Sequence, residues 1–180
     1  NIIAGTIKYK CDNDKFFETF LNAKKRGVNN YIEFNDVPFN HVLFGNCAIS
    51  KIMFNKNQLD ETFFKYGGEE LEYMWRVKKE NPELKIIKLK NSVNRDNHPS
   101  LRNHCIRMEE LGSNMSNILP IELHCFIIPN YFKKLNFIIP TSISIWILEI
   151  IYRISPISIN LIIKLILGLY VLRGFKKNNK

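Results

Sequence analysis

The stretch Leu59 to Arg76, LDETFFKYGGEELEYMWR, constrains the fold more than any other part of the chain. An acidic turn (Leu59, Asp60, Glu61) and an aromatic patch (Phe63, Phe64, Tyr66) run into Gly67-Gly68. Two carboxylates, Glu69 and Glu70, then stand at the mouth of a predicted helix. Leu71, Met74 and Trp75 recur at the spacing of a helix with one buried stripe. A double glycine permits backbone angles that other residues avoid and lets another molecule approach closely. The expectation is a loop feeding a helix N-terminus, with acidic side chains projecting from the junction.

Around this stretch the chain alternates between extended and helical patterns, which argues for an α/β layer structure. Ile2–Tyr9 reads as a strand with Gly5 inside it, the mark of a bulge or a close backbone approach. Asp12–Arg26 reads as a helix, capped by Asp12 or Asp14 and buried through Phe16, Phe17, Phe20 and Leu21. Gly27–Pro38 is a polar loop, Phe39–Ser50 returns to strand character, and Asn55-Lys56-Asn57 reads as a turn. Past the motif helix, Asn81-Pro82 stops the run. Leu84–Leu89 is a strand continuing toward Val93, His98-Pro99 closes it, and Ser100–Asn117 is a further helix.

The tail differs in character. The chain has 180 residues and a net charge of +9, and beyond Tyr152 it carries Arg153, Lys164, Arg173, Lys176, Lys177 and Lys180 with no acid. A basic, aliphatic tail points to an anionic membrane surface. No basic stripe with interleaved stacking aromatics points to nucleic acid. Leu135–Leu172 is mostly aliphatic, broken by Pro140 and Pro156, and its longest charge-free run, Leu135–Leu148, is shorter than a bilayer span. Two or three apolar helices are expected, forming an in-plane or re-entrant anchor or packing on protein. The composition divides the chain into 1–118 and 119–180. Cys11, Cys47, Cys105 and Cys125 form no C-x-x-C pair and read as free thiols. The apolar run that follows Asn1 directly suggests the back part of a longer protein.

Several residues are candidates for chemistry. Acids at a helix start complement the helix dipole, and on the residues alone that capping account covers Glu69 and Glu70. The same positive potential also keeps a carboxylate ionised and able to take a proton from a hydroxyl. His98, in the polar turn NRDNHPS, is a candidate metal ligand that needs carboxylates from elsewhere. Asp12-Asn13-Asp14 has the D-x-D form of a metal–phosphate site, but it opens a helix, where capping explains it. His104-Cys105 and His124-Cys125 match no trusted zinc spacing, and Asn114-Met115-Ser116 is a glycosylation sequon by pattern.

The order of these features resembles the back half of a family 2 glycosyltransferase of GT-A fold. The resemblance rests on G-N-C-A-I-S-K (45–51), then L-D-E-T-F-F-K-Y-G-G-E-E-L-E-Y-M-W-R, then a strand, then His98, and it covers about Ile2 to His98. It implies a mixed sheet flanked by helices and transfer of a sugar, with inversion, from a nucleotide-sugar donor to a hydroxyl of a glycan or lipid-linked acceptor. It implies Glu70 as the catalytic base, at a position where the family has Asp. It implies Glu69, Gly67, Gly68 and Asn46 at the acceptor, Ser50 beside them, Arg76 in a structural role, and His98 on the metal. The divalent metal (Mn or Mg) would also need the family's D-x-D, which is expected upstream of Ile2. The chain alone is therefore expected to lack the donor site and to be inactive. The implied location is the cytoplasmic face of a membrane, reached through the C-terminal helices. The competing expectation is a non-catalytic, membrane-peripheral α/β protein.

Overall fold

Strand β1, Ile2–Cys11, runs through the centre of a three-stranded mixed sheet. Its pattern is apolar on both faces, and Ile2, Ala4, Ile7 and Cys11 are all buried. On one side β2, Cys47–Ile49, pairs antiparallel to it, and on the other β3, Ile86–His98, pairs parallel. Apolar residues are concentrated at the start of β3. Its outer half, from Lys90 to Asn97, is exposed and, apart from Val93, polar, as suits an edge strand. The structure, a computed structural model, describes residues 2–11, 14–128, 141–154 and 159–178.

The chain forms two compact units, one of Asn1–Glu61 with Glu69–His98, the other of Thr62–Gly68 with Pro99–Lys180. The composition shift at 118 falls inside the second. The first unit holds the sheet, α1 (Lys15–Leu21), α2 (Lys51–Lys56) and α3 (Glu69–Glu80). Its core joins Ile2, Ala4 and Ile86 from the sheet with Tyr73, Met74 and Val77 from α3.

Several expected elements differ, each for a local reason. The expected helix 12–26 is only α1, and its cap is Asp14, whose Oδ1 accepts from the Phe17 N–H at 3.1 Å. Asp12 lies outside the described residues. The helix stops at Asn22 because that side chain pairs with the backbone of β1, accepting from the Tyr9 N–H at 2.9 Å and donating to the Tyr9 carbonyl at 2.8 Å. The expected strand 39–50 shrinks to β2, preceded by two 3-10 turns, Phe39–His41 and Phe44–Asn46. Short-range bonds such as His41 N to Pro38 O (3.0 Å) and Asn46 N to Leu43 O (3.1 Å) take the donors a ladder would need. The expected turn at 55–57 closes α2, a short helix that begins at Ser50, whose Oγ accepts from the Met53 N–H. The buried stripe of α3 is not Leu71, Met74 and Trp75. It is Tyr73, Met74 and Val77, with Leu71 and Trp75 half-buried.

The second unit is helical. It contains α4 (Leu101–Asn117), the short α5 (His124–Ile127), α6 (Thr141–Ile154) and α7 (Ile159–Lys177). Helices α4 and α7 meet at two glycines. A Cβ on Gly112 would lie 1.9 Å from the Val171 carbonyl oxygen, and one on Gly174 would lie 1.9 Å from the Glu109 carbonyl oxygen. Beside this crossing Glu109 binds Arg173 and Lys177. Burial by itself would raise the Glu109 carboxyl, but those two hydrogen-bonded cations outweigh it and hold it below the usual carboxylate range. Among the described residues no helix is long and apolar enough to cross a membrane. The expected apolar run 135–148 lies partly outside them.

Candidate functional site

Glu70 is the first member of the core-facing stripe of α3. With Tyr73, Met74 and Val77 it completes the series i, i+3, i+4, i+7, so the helix itself turns this acid inward. Its Oε1 accepts from the Phe44 N–H at 3.0 Å. That bond draws the helix start to the turn Phe44–Asn46, which opens the G-N-C-A-I-S segment. Two stretches 26 residues apart are thereby brought together.

The surroundings are poorly solvated. Burial pushes the Glu70 carboxyl up, and neighbouring Glu69 adds to this, while the Phe44 hydrogen bond and Arg95 on β3 work in the opposite direction. Burial also raises the Cys47 thiol, with Glu70 contributing, and the Tyr73 phenol. The Tyr73 hydroxyl is buried and has no hydrogen-bond partner among the described residues, and the same holds for Glu69 Oε2.

Asn46 is held at both ends of its amide. Nδ2 donates to the Thr6 carbonyl at 2.7 Å, and Oδ1 accepts from Asn91 Nδ2 at 3.0 Å. It follows Phe44, the partner of Glu70, by two residues in the same turn, and its own polar atoms are committed to the sheet. Arg76, for which the resemblance implies a structural role, is tied into the first unit. It forks onto Glu72 at 2.8 and 3.0 Å and also donates to the Gln58 carbonyl.

Gly67 and Gly68 both have positive φ, 93° and 101°, where a side chain is strained. What approaches them is protein. A Cβ at Gly67 would meet Leu111 at 3.1 Å, and one at Gly68 would meet Leu119 at 2.8 Å. Asn114, noticed in the sequence only as part of a sequon, is 1 % exposed and holds this loop. Its Nδ2 donates to the Gly67 carbonyl at 2.7 Å and the Lys65 carbonyl at 3.0 Å. Its partners lie more than 45 positions away and could not be read from the sequence.

His98 is not brought to this cluster. It ends β3 opposite Cys11, whereas Asn46 contacts β1 at Thr6, five residues and roughly 16 Å earlier along the strand. It is 3 % exposed and packs edge-on to Tyr9, ring centroids 4.9 Å apart, and against Phe17 at 5.9 Å. Among the described residues no three His, Cys, Asp or Glu side chains gather to hold a metal. The other ligands that His98 would need are therefore not gathered around it among the described residues, and no chemical step below is routed through a metal. Scans against protein-family models, curated proteins and solved structures return no match to this chain.

Proposed function

We propose that this chain is the acceptor side of a family 2 glycosyltransferase of GT-A type, with Glu70 as its general base. The observation that carries the reading is the Phe44 N–H to Glu70 hydrogen bond. It joins the two sequence segments whose order resembles the family, and it leaves Glu70 Oε2 for a further donor. In the proposed reaction that donor is an acceptor hydroxyl. Glu70 takes its proton as the oxygen bonds to the anomeric carbon of the nucleotide sugar, and the carbon–oxygen bond to the nucleoside diphosphate breaks on the opposite face. A carboxyl raised by burial is a stronger base when ionised than an exposed one. Glu69, with its buried Oε2, is proposed to orient acceptor hydroxyls. A divalent metal stabilising the departing diphosphate would need ligands in addition to any that the described residues, His98 among them, could offer. The experiment is release of nucleoside diphosphate from a panel of nucleotide sugars by the full-length protein, with and without acceptor glycans. Acceptor-dependent release supports the reading, and none across the panel counts against it.

Membrane association is a second part of the proposal, carried by the outward face of α6. Ile143, Trp146, Ile147, Ile151 and Ile154 form one stripe, with Trp146 63 % and Ile154 75 % exposed, while Thr141 and Ile145 turn inward. Arg153 lies at the stripe's edge and no acid lies within it, which suits an anionic headgroup layer. Adding anionic phospholipid vesicles is expected to shift Trp146 emission to shorter wavelength, with Trp146→Phe identifying the signal. Ile147→Asp is expected to lower the partition coefficient at least about tenfold, because it removes apolar burial and adds a like charge. Equal partitioning of the two proteins would discard the stripe as the lipid contact.

A further inference from the structure

We propose that Asn91 is a positioning residue for Glu70, acting through Asn46 and the turn Phe44–Asn46. This rests on the reading of Glu70 as the base. The β1–β3 ladder changes register here: Ala4 pairs with Lys88, but Thr6 pairs with Ser92, so β3 spends two extra residues against β1. Such a bulge re-aims side chains, and Asn91 sits on it. Asn91 Nδ2 donates to Asn46 Oδ1 at 3.0 Å, while its carbonyl accepts from Thr6 Oγ1 at 3.2 Å. Asn46 is pinned in turn to the Thr6 carbonyl at 2.7 Å, and two residues back the Phe44 N–H reaches Glu70.

Gly5 makes room for this clasp. A Cβ there would lie 2.1 Å from Asn91 Oδ1 and 2.4 Å from Asn46 Nδ2. Both amides therefore lie directly over the β1 backbone, where no side chain fits. The turn's far end is fixed by two amides and its near end holds the carboxylate. Loosening the first moves the second.

The charged and titratable groups around Glu70 are Glu69 on its own helix, Arg95 on β3 and Cys47 on β2. Asn91 is uncharged, so replacing it changes none of them. The Phe44 hydrogen bond favours the ionised carboxylate. Weakening that bond should therefore raise the Glu70 midpoint by about half a pH unit or more. The test is a carboxyl-carbon NMR titration of the 180-residue chain labelled at glutamate, comparing wild type, Asn91→Ala and Asn46→Ala. Asn94→Ala serves as a control on the same exposed strand. Asn91 is exposed, and Asn91→Ser gives the same comparison should the alanine variant not fold. An upward shift in the Asn91 and Asn46 variants, absent from Asn94→Ala, supports the clasp. A Glu70 midpoint in Asn91→Ala within about 0.2 units of wild type, or an equal shift in Asn94→Ala, overturns it. The titration needs no turnover, so it stands or falls separately from the base assignment, which Glu70→Gln in the full-length protein tests.

Discussion

Replacing Glu70 by Gln in the full-length protein is expected to lower sugar transfer about a hundredfold or more while leaving donor binding unchanged. A positioned general base contributes about 10²–10⁴-fold to such a reaction. Glutamine keeps the oxygen that accepts from Phe44 N–H, so the helix start should hold its place, and only the capacity to take a proton disappears. The same substitution should raise stability at neutral pH. Burial raises the native-state carboxyl above its unfolded value, so the folded form holds the proton more tightly. The stability contribution is complete below the unfolded pKa and is lost as pH rises through the native one. At neutral pH wild type bears that loss and the Gln variant does not. A rise in melting temperature together with lost transfer is the signature of a residue kept for chemistry. Lost transfer with a fall in melting temperature would instead mark Glu70 as a structural link between α3 and the Phe44 turn.

The second large effect concerns the α4–α7 crossing. Gly112→Ala is expected to destabilise the helical unit by about 3 kcal/mol, although alanine favours a helix over glycine by about 1 kcal/mol. The added methyl would stand 1.9 Å from the Val171 carbonyl oxygen and 2.9 Å from the Phe175 nitrogen, both backbone atoms of α7 that cannot swing aside. Gly174→Ala should behave alike, since its methyl would meet the Glu109 carbonyl oxygen at 1.9 Å. The two losses should not add, because each substitution alone forces the same helices apart. Thermal melts followed by circular dichroism should show a fall of roughly 12–24 °C in the transition of the helical unit for either variant. An unchanged or higher midpoint for both would mean that the helices do not cross at these glycines.

Local physics made part of this legible. The glycine pair, the acids after it and Asn81-Pro82 bracket α3 closely, and an apolar run with a lone glycine gave β1. What escaped was set by distant partners. Asn22 ends α1 because Tyr9 uses its amide, and the turns at Phe39 and Phe44 replace a strand because short-range carbonyls capture their N–H groups. The buried stripe of α3 is rotated from the expected Leu71–Met74–Trp75 face by one residue, about 100° of helix rotation. The correct phase places Glu70 on the inward face, a signal already present in the spacing of Tyr73, Met74 and Val77. Asn91 and Asn114 gave no usable sign, since both act on backbone or side chains more than 40 positions away. For His98 the sequence offered a turn before proline. Its burial against Tyr9 and Phe17 depends on β1 and α1 closing on the end of β3.

The most direct measurement is the pH dependence of kcat/KM for sugar transfer by the full-length protein, read as nucleoside diphosphate release, for wild type and Glu70→Gln. Activity that needs ionised Glu70 should fall on the acid side with a midpoint above the ordinary glutamate range, the direction in which burial moves this carboxyl. That limb should vanish in the residual activity of Glu70→Gln. An acid limb that persists in the variant, or turnover equal to wild type, would show that another group takes the proton and that Glu70 belongs to the core alone.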